Sequence, residues 1–558
     1  MFKKIQLWFF AVCLGACLAA CSDGYLDKYP LNGPSSETFY SNEDELMMGL
    51  FGAYKALNFN PKSSRPWPVI LDVTTDLSWN RSNHQMQHIG NGSHESDNGS
   101  VLIFWREFYQ AIGRANFLLD NIDQLKDQIS AETYNQTQAE ARFIRALSYH
   151  YLIELFGDVP LITAPQTIEE AQVPRAPKNE VAEFVIQEMT EAAMDLPVRH
   201  GDDAYHGRAT KGAALAIKAR TALYNEKWDV AAAAAKEVMD LDYELHGDFG
   251  ALFTYDGQTS DEIIFSLQYL RGVMTHATAN YLTSRLAGGV SNEVPSQTVV
   301  DSYEAIDGLS IDKSEVYDPE KPFENRDPRL HETVVLPGSV LFGYQFETHN
   351  DSTEIWNYNT NPPTRIKNID ASHAYATYTG YLWRKYTDIK DMPDDTNSEI
   401  NIILIRYAEV LLIYAEAKIE AGELDDSVYD AINQVRQRPG VDMPPIESGK
   451  TQQELRSIVR KERKYELANE GLRLFDIRRW KIAEDVMPGP FLGRIPDEFL
   501  SSAPEIDAYG TPDYSNVSNG SDLRHVETRN FNPSRDYLFP IPNIDVLTNE
   551  ALEQNPGY

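Results

Sequence analysis

Apolar residues recur at helical spacing through most of the first half of the chain and return near its end. Acidic residues Glu43, Asp44 and Glu45 behind Ser41 predict a helix start, with Ser41 as the cap and Leu46, Leu50 and Tyr54 on one stripe. Further helices are predicted over Val101–Ile122, Glu132–Phe156, Asn179–Met194, Lys211–Tyr224 and Trp228–Leu241. Gly157-Asp158-Val159-Pro160 stops the second of these. Between the last two, Ala219, Ala222 and Tyr224 face Trp228, Ala231, Ala232 and Ala235 across a very short turn. Small residues there let two antiparallel helices touch, as in a tetratricopeptide pair; a generic helix hairpin is the other reading. A similar pair is predicted at Leu404–Ala421 and Ser427–Arg438 around Gly422, followed by helix from Gln452 to Trp480.

Three stretches lack that period. Asn58–Ser100 is rich in Pro, Asn, Gly, Ser, His and Trp and is too long for a mere connector, so it is expected to be a functional loop. Asp261–Glu399 is broken by Pro319, Pro322, Pro328, Pro337, Pro362 and Pro363, with short strands expected at Ile263–Leu267 and Tyr381–Tyr386. Pro488–Tyr558 is again Pro-, Asn- and Gly-rich. The pattern predicts a mainly α protein: tetratricopeptide-like helix pairs packed against a large, loop-rich, partly β elaboration.

The start of the chain follows different rules. Lys3 and Lys4 precede an apolar run from Ile5 to Ala20, too short and wrongly flanked for a spanning helix, and so a secretory leader. Leu18-Ala19-Ala20-Cys21 resembles the bacterial lipobox, which implies cleavage after residue 20 and lipidation of Cys21. Leu14-Gly15-Ala16-Cys17 fits the same pattern, but polar sequence begins directly after Cys21. All 3 cysteines lie in this leader, so processing at Cys21 leaves no disulfide framework and no cysteine zinc site. The formal net charge of −34 repels nucleic acid and anionic membrane, so no nucleic-acid partner is expected and attachment to a membrane falls to the lipid. The remaining composition, 42% hydrophobic and 24% charged over 558 residues, suits a large core without staples.

Several short stretches, in order, carry a resemblance. They are Cys21 to Pro30, Phe156-Gly157-Asp158-Val159-Pro160, Asn325-Arg326-Asp327-Pro328-Arg329, and Arg406-Tyr407-Ala408-Glu409 with Tyr414-Ala415-Glu416-Ala417. Next comes Glu462-Arg463 through Glu466, Glu470-Gly471, Arg473 and Asp476 to Arg478-Arg479-Trp480. Pro540-Ile541-Pro542 and Gln554-Asn555-Pro556-Gly557-Tyr558 close the series. Together they resemble the SusD/RagB family of Bacteroidetes outer-membrane lipoproteins. The resemblance implies a signal peptide over 1–20 and one domain over 21–558. That domain would comprise an N-terminal helical half (21–260, with a ligand loop at 58–100), an irregular insertion (261–399) and a C-terminal half (400–558). It also implies a lipid-anchored, surface-facing outer-membrane protein that captures nutrients, usually glycans, with peptides as the alternative cargo. Its partner would be a SusC-type TonB-dependent transporter.

No G-x-S-x-G, Walker A or G-x-G-x-x-G motif is present. Glu462, Glu466 and Glu470 are spaced by four and read as one face of a helix, where Arg460, Arg463, Lys464 and Arg473 are near enough to pair. A structural ion network is the favoured reading over a catalytic or metal site. His84, His88 and His94 lack the H-E-x-x-H context of a zinc site. No cofactor is implied.

Sugars present flat C–H faces and edges of hydroxyls, so their sites need an aromatic plane beside fixed polar groups. Trp79, Asn80, Arg81 and His84 bring that chemistry into one stretch; the alternative is that Trp79 is buried packing. The resemblance favours ligand binding, since the family's ligand loops include this region. Tyr281, Arg285 and Trp356 are secondary candidates, with Tyr358 and Arg365 beside the last. The functional classes left open are a non-catalytic glycan-capture lipoprotein, a surface glycosidase, and a protein-interaction scaffold.

Overall fold

In the computed structural model, which describes residues 40–201 and 207–558, the apolar stripes of the N-terminal half close on one another in sequence order. Helices α1 (Glu43–Leu57), α2 (Gly99–Asn121), α3 (Ala131–Phe156), α4 (Lys178–Asp195), α5 (Lys211–Tyr224) and α6 (Trp228–Met239) each pack on the next. Ala219 and Ala222 of α5 and Ala231 and Ala235 of α6 are buried, which lets the two backbones approach as the spacing predicts. Far along the chain, α7 (Tyr407–Ala421) resumes the stack on α6, and α8 (Asp426–Arg436) and α9 (Gln452–Leu467) pack on α7. The buried Arg220–Glu409 ion pair ties α5 to α7. This is the mainly α, helix-pair architecture that the sequence predicts.

Helix ends follow local chemistry. Asn42, not Ser41, caps α1: its side-chain oxygen accepts the Glu45 N–H, while the Ser41 N–H and hydroxyl both donate to the Glu45 carboxylate. α3 ends where Gly157 adopts φ +75°, a conformation that side chains resist. α7 begins at Tyr407 rather than Leu404, because Leu404 belongs to a strand rich in β-branched residues.

The strands are short. Ten of them, in chain order, are β1 (Ser78–Asn80), β2 (Ile263–Leu267), β3 (Glu293–Pro295), β4 (Val340–Leu341), β5 (Tyr344–Gln345), β6 (Glu354–Asn357), β7 (Thr364–Lys367), β8 (Ile402–Arg406), β9 (Gly489–Gly493) and β10 (Arg524–Arg529); further two-residue strands lie at Val334–Val335, Leu382–Trp383, Glu505–Ile506 and Pro512–Asp513. β1 pairs with β3, β2 with β8, and β9 with β10, all antiparallel; β4 to β7 form one four-stranded sheet. Of the strand expected at Tyr381–Tyr386, Leu382–Trp383 forms, pairing with Val334–Val335, and Trp383 is core.

The stretch 58–100 differs from its expectation as a ligand loop. It folds inward, with helices Trp67–Leu71 and Gln85–Gly90 flanking β1, and all of Trp67 to Leu71 is buried. Several of its polar residues serve the fold: the His84 ring nitrogen Nδ1, for one, accepts the Met86 N–H at the start of the second helix.

Glu462, Glu466 and Glu470 lie at the centre of a buried ion network, but their partners come from elsewhere. Glu466 meets Arg406 at 2.7 Å, Arg438 at 2.6 Å and Arg329 at 3.0 Å. Glu462 pairs with Arg436 at 2.8 Å, and Glu470 with Arg406 at 2.8 Å and Lys385 at 2.7 Å. Arg463 and Arg473 of the same segment instead bind Asp476 and Asp76. Burial pushes the Glu466 carboxyl up, but the guanidiniums of Arg438, Arg406 and Arg329 outweigh it and hold the group well below the usual range. Glu470 lies beyond α9, because the chain breaks at Asn469 (φ +63°) and Gly471 (φ +76°) instead of running as helix to Trp480.

Candidate functional site

β1 alternates its side chains. Asn80 points inward, where its amide donates to the Glu293 carboxylate at 3.1 Å, and Arg65 also binds that carboxylate. The Tyr281 ring covers the Arg65 guanidinium, 4.2 Å from ring centre to Cζ. Asn80, His84 and Tyr281 therefore belong to the support of the strand: Asn80 and His84 are buried, and Tyr281 is half-buried against a cation. Trp79 and Arg81 lie on the opposite face, one pleat apart.

Trp79 is 9% exposed and packs with Val294, Val335, Leu341, Phe346, Leu382 and Phe491 in a core of its own. Tyr378 lies 5.6 Å from it, ring to ring, and is 46% exposed. Three residues earlier Tyr375 is 53% exposed. Arg81 stacks on the Tyr375 ring at 4.8 Å, and Arg285 approaches the same ring at 5.9 Å. Arg524, the first residue of β10, stacks on Tyr378 at 5.6 Å. So the fold brings Trp79, Arg81 and Arg285 together, around two tyrosines and an arginine from distant segments.

Local bonds fix this loop. The Asn368 amide donates to the carbonyls of Glu347 and Ser352, and its oxygen accepts from the N–H groups of Asp370 and Ala371. Asp370 in turn accepts the Arg285 N–H at 2.7 Å. Burial pushes the Asp370 carboxyl up to about 6. At the far end the Thr377 hydroxyl donates to the Tyr381 carbonyl at 2.6 Å. Arg529 clamps β10 onto the β1 segment, donating to the carbonyls of Thr75 and Ser78 and stacking on Phe491 at 4.2 Å. The tyrosines are thus held out on a braced loop with little left to order on binding.

Trp356 is elsewhere. It stands on β6, 40% exposed, with Arg365 of β7 stacked on it at 5.2 Å and Arg365 in turn 3.7 Å from Glu354. The aromatic rings that project into solvent among the described residues are Phe51, Trp356, Tyr358, Tyr375, Tyr378 and Phe499. All but Phe51 belong to the loop-rich side. A cleft of about 770 Å³ beside β9 and β10 and an apolar groove of about 820 Å³ along α2 are larger concavities. The first is lined by Phe491 and Tyr514 and the second by Trp105 and Tyr109, and neither by any of these exposed rings. Tyr375, Tyr378 and Arg524 escaped the sequence reading; two tyrosines three apart in a loop of Ser, Ala, Thr and Gly were the available signal.

Comparison with known proteins gives a consistent result. The family model "SusD family" matches residues 261–558, and "Starch-binding associating with outer membrane" matches residues 24–223. SusD-like protein P2 of Formosa agariphila is 28% identical over 587 residues, covering 100% of both chains. The starch-binding protein SusD of Bacteroides thetaiotaomicron is 31% identical over 32% of this chain and 33% of its own. A crystal structure of a SusD-like carbohydrate-binding protein from Bacteroides fragilis superposes with a TM-score of 0.80 at 30% identity, covering 92% of this chain and 100% of that one. Fold, sequence and the shared helix stack agree: this chain belongs to the SusD/RagB family.

Proposed function

We propose that this protein captures glycans at the bacterial outer membrane without cleaving them and delivers them to a SusC-type TonB-dependent transporter. The observation that carries the reading is the pair of solvent-exposed rings, Tyr375 and Tyr378, braced from below by Trp79 and flanked by Arg81, Arg285 and Arg524. Aromatic planes with fixed donors at their edges suit sugar faces and hydroxyls. Trp356 with Tyr358 supplies a second stacking surface on the same loop-rich side, and a polymer that reaches both binds by avidity. The names of the relatives, starch-binding and carbohydrate-binding, support the cargo class. Lipidation at Cys21, which lies outside the described residues, is the proposed anchor. No helix among the described residues is long and apolar enough to cross a membrane.

Retention of the protein on glycan-containing native gels tests this. Retention with no release of reducing ends is the expected result; release of reducing ends from a retained glycan would convert the reading to that of a glycosidase. Co-purification of the barrel transporter with the detergent-solubilised protein tests delivery, and its absence would remove the transporter from the account.

A further inference from the structure

The arginines around Tyr375 and Tyr378 share one manner of being held, and they stand beside exposed rings. Many core guanidiniums meet carboxylates: Arg406, Arg438 and Arg329 surround Glu466, and Arg220 pairs with Glu409; buried Arg326 and Arg478 are held by carbonyls instead. On the surface, Arg365 beside Trp356 has Glu354 at 3.7 Å. Among the described residues, Arg81, Arg285 and Arg524 have no carboxylate within 4.0 Å of their guanidinium nitrogens. They are held by backbone carbonyls instead. Arg81 donates to Val290 at 2.8 Å, Arg285 to Gly289, and Arg524 to Tyr378 at 3.2 Å. A carbonyl fixes the direction of a guanidinium without cancelling its charge. Each guanidinium has five N–H donors, so most remain uncommitted; the Arg285 Nε is buried with no partner. In the same loop one Asp370 oxygen accepts the Arg285 backbone N–H rather than a guanidinium N–H.

On a chain of net charge −34, three half-buried guanidiniums with no carboxylate in contact, beside two exposed rings, form a local positive patch that complements an anionic ligand. A neutral sugar needs the rings and a few donors, not three cations. Guanidinium forks match carboxylate and sulfate oxygens in shape as well as charge. We propose that the surface formed by Arg81, Arg285 and Arg524 with Tyr375 and Tyr378 takes a negatively charged saccharide, one that carries a uronic-acid carboxylate or a sulfate ester. The sugar faces stack on the tyrosines, and the anionic substituents bind the guanidiniums. The inference rests on the glycan-capture reading and gives it a substrate class.

A glycan array probed with the detergent-solubilised full chain tests it. The array should carry uronic-acid polymers with their carboxyl-reduced forms and sulfated polymers with their desulfated forms. Binding to charged members, lost at least tenfold on reduction or desulfation, is the expected result, and which pair responds tells carboxylate from sulfate. Binding to neutral members alone would overturn the inference and leave glycan capture standing; binding to nothing would overturn both. Arg524→Gln, at the solvent edge, should weaken the charged glycan about tenfold, the loss of one charge-assisted hydrogen bond. Raising sodium chloride from 50 to 500 mM should weaken the unaltered protein further, a readout that needs no variant to fold. Salt-independent binding would contradict the charge role.

Discussion

Trp79 and Tyr378 lie 5.6 Å apart and have divided roles that the sequence alone would assign to one residue. Trp79 packs among Val294, Leu382 and Phe491 and holds up the ring that meets solvent. Trp79→Ala is therefore expected to destabilise the fold by about 3–5 kcal/mol, seen as a lower midpoint in denaturant, through the cavity it leaves. Tyr378→Ala should leave that midpoint within about 0.5 kcal/mol and weaken glycan retention, because its ring is half in water. Equal melting of Trp79→Ala and the parent would contradict this division. The loop at 58–100 was legible as special because it lacks a helical period. Its direction was not, because burial of Asn80 and Trp79 depends on Glu293 and Phe491, which lie far along the chain.

At the scale of elements, the helix stack was legible almost to the residue, since a 3.6-residue stripe and a stop at Gly157 are local signals. Where the reading failed, a tertiary partner decided. Leu404 joins β8 because β2 offers it an edge, and the carboxylates after Gln452 find arginines from β8, α8 and the short helix Pro328–Thr333 rather than from their own helix. Glu466→Ala should cost about 3–5 kcal/mol, because it leaves three buried guanidiniums short of a partner. Glycan retention at the distant tyrosines should persist in whatever fraction stays folded. The break after α9 is equally specific. A Cβ on Gly471 would stand 2.3 Å from the Pro68 carbonyl oxygen, at φ +76°. Gly471→Ala is expected to cost more than about 1 kcal/mol, since a left-handed site and a clash act together; unchanged thermal melting would refute that constraint.

For the molecule as a whole, charge sets the response to acid. Burial raises the carboxyls of Glu466, Glu470, Glu416, Asp476 and Asp76, but neighbouring arginines, with Lys385 or Lys464 in places, overcome it and lower them all. The unfolded chain protonates such groups near pH 4, at about 3.9 for Asp and 4.3 for Glu, while the folded chain does so only at lower pH. The unfolded state then binds more protons, so stability from these groups is present above about pH 4 and lost as pH falls below it. Denaturant midpoints measured from pH 5 down to pH 2 should fall steadily, and a flat profile would contradict the network's role. Apart from this network, the small core around Trp79 serves as the base for the exposed rings of Tyr375 and Tyr378. The most direct test of their role is the binding constant of the full chain and of Tyr375→Ala/Tyr378→Ala for one glycan that the parent binds, measured by isothermal titration with melting followed in parallel. The account predicts a loss of at least about tenfold with melting unchanged, from the removal of two stacking planes. Undiminished binding by the double variant would contradict it.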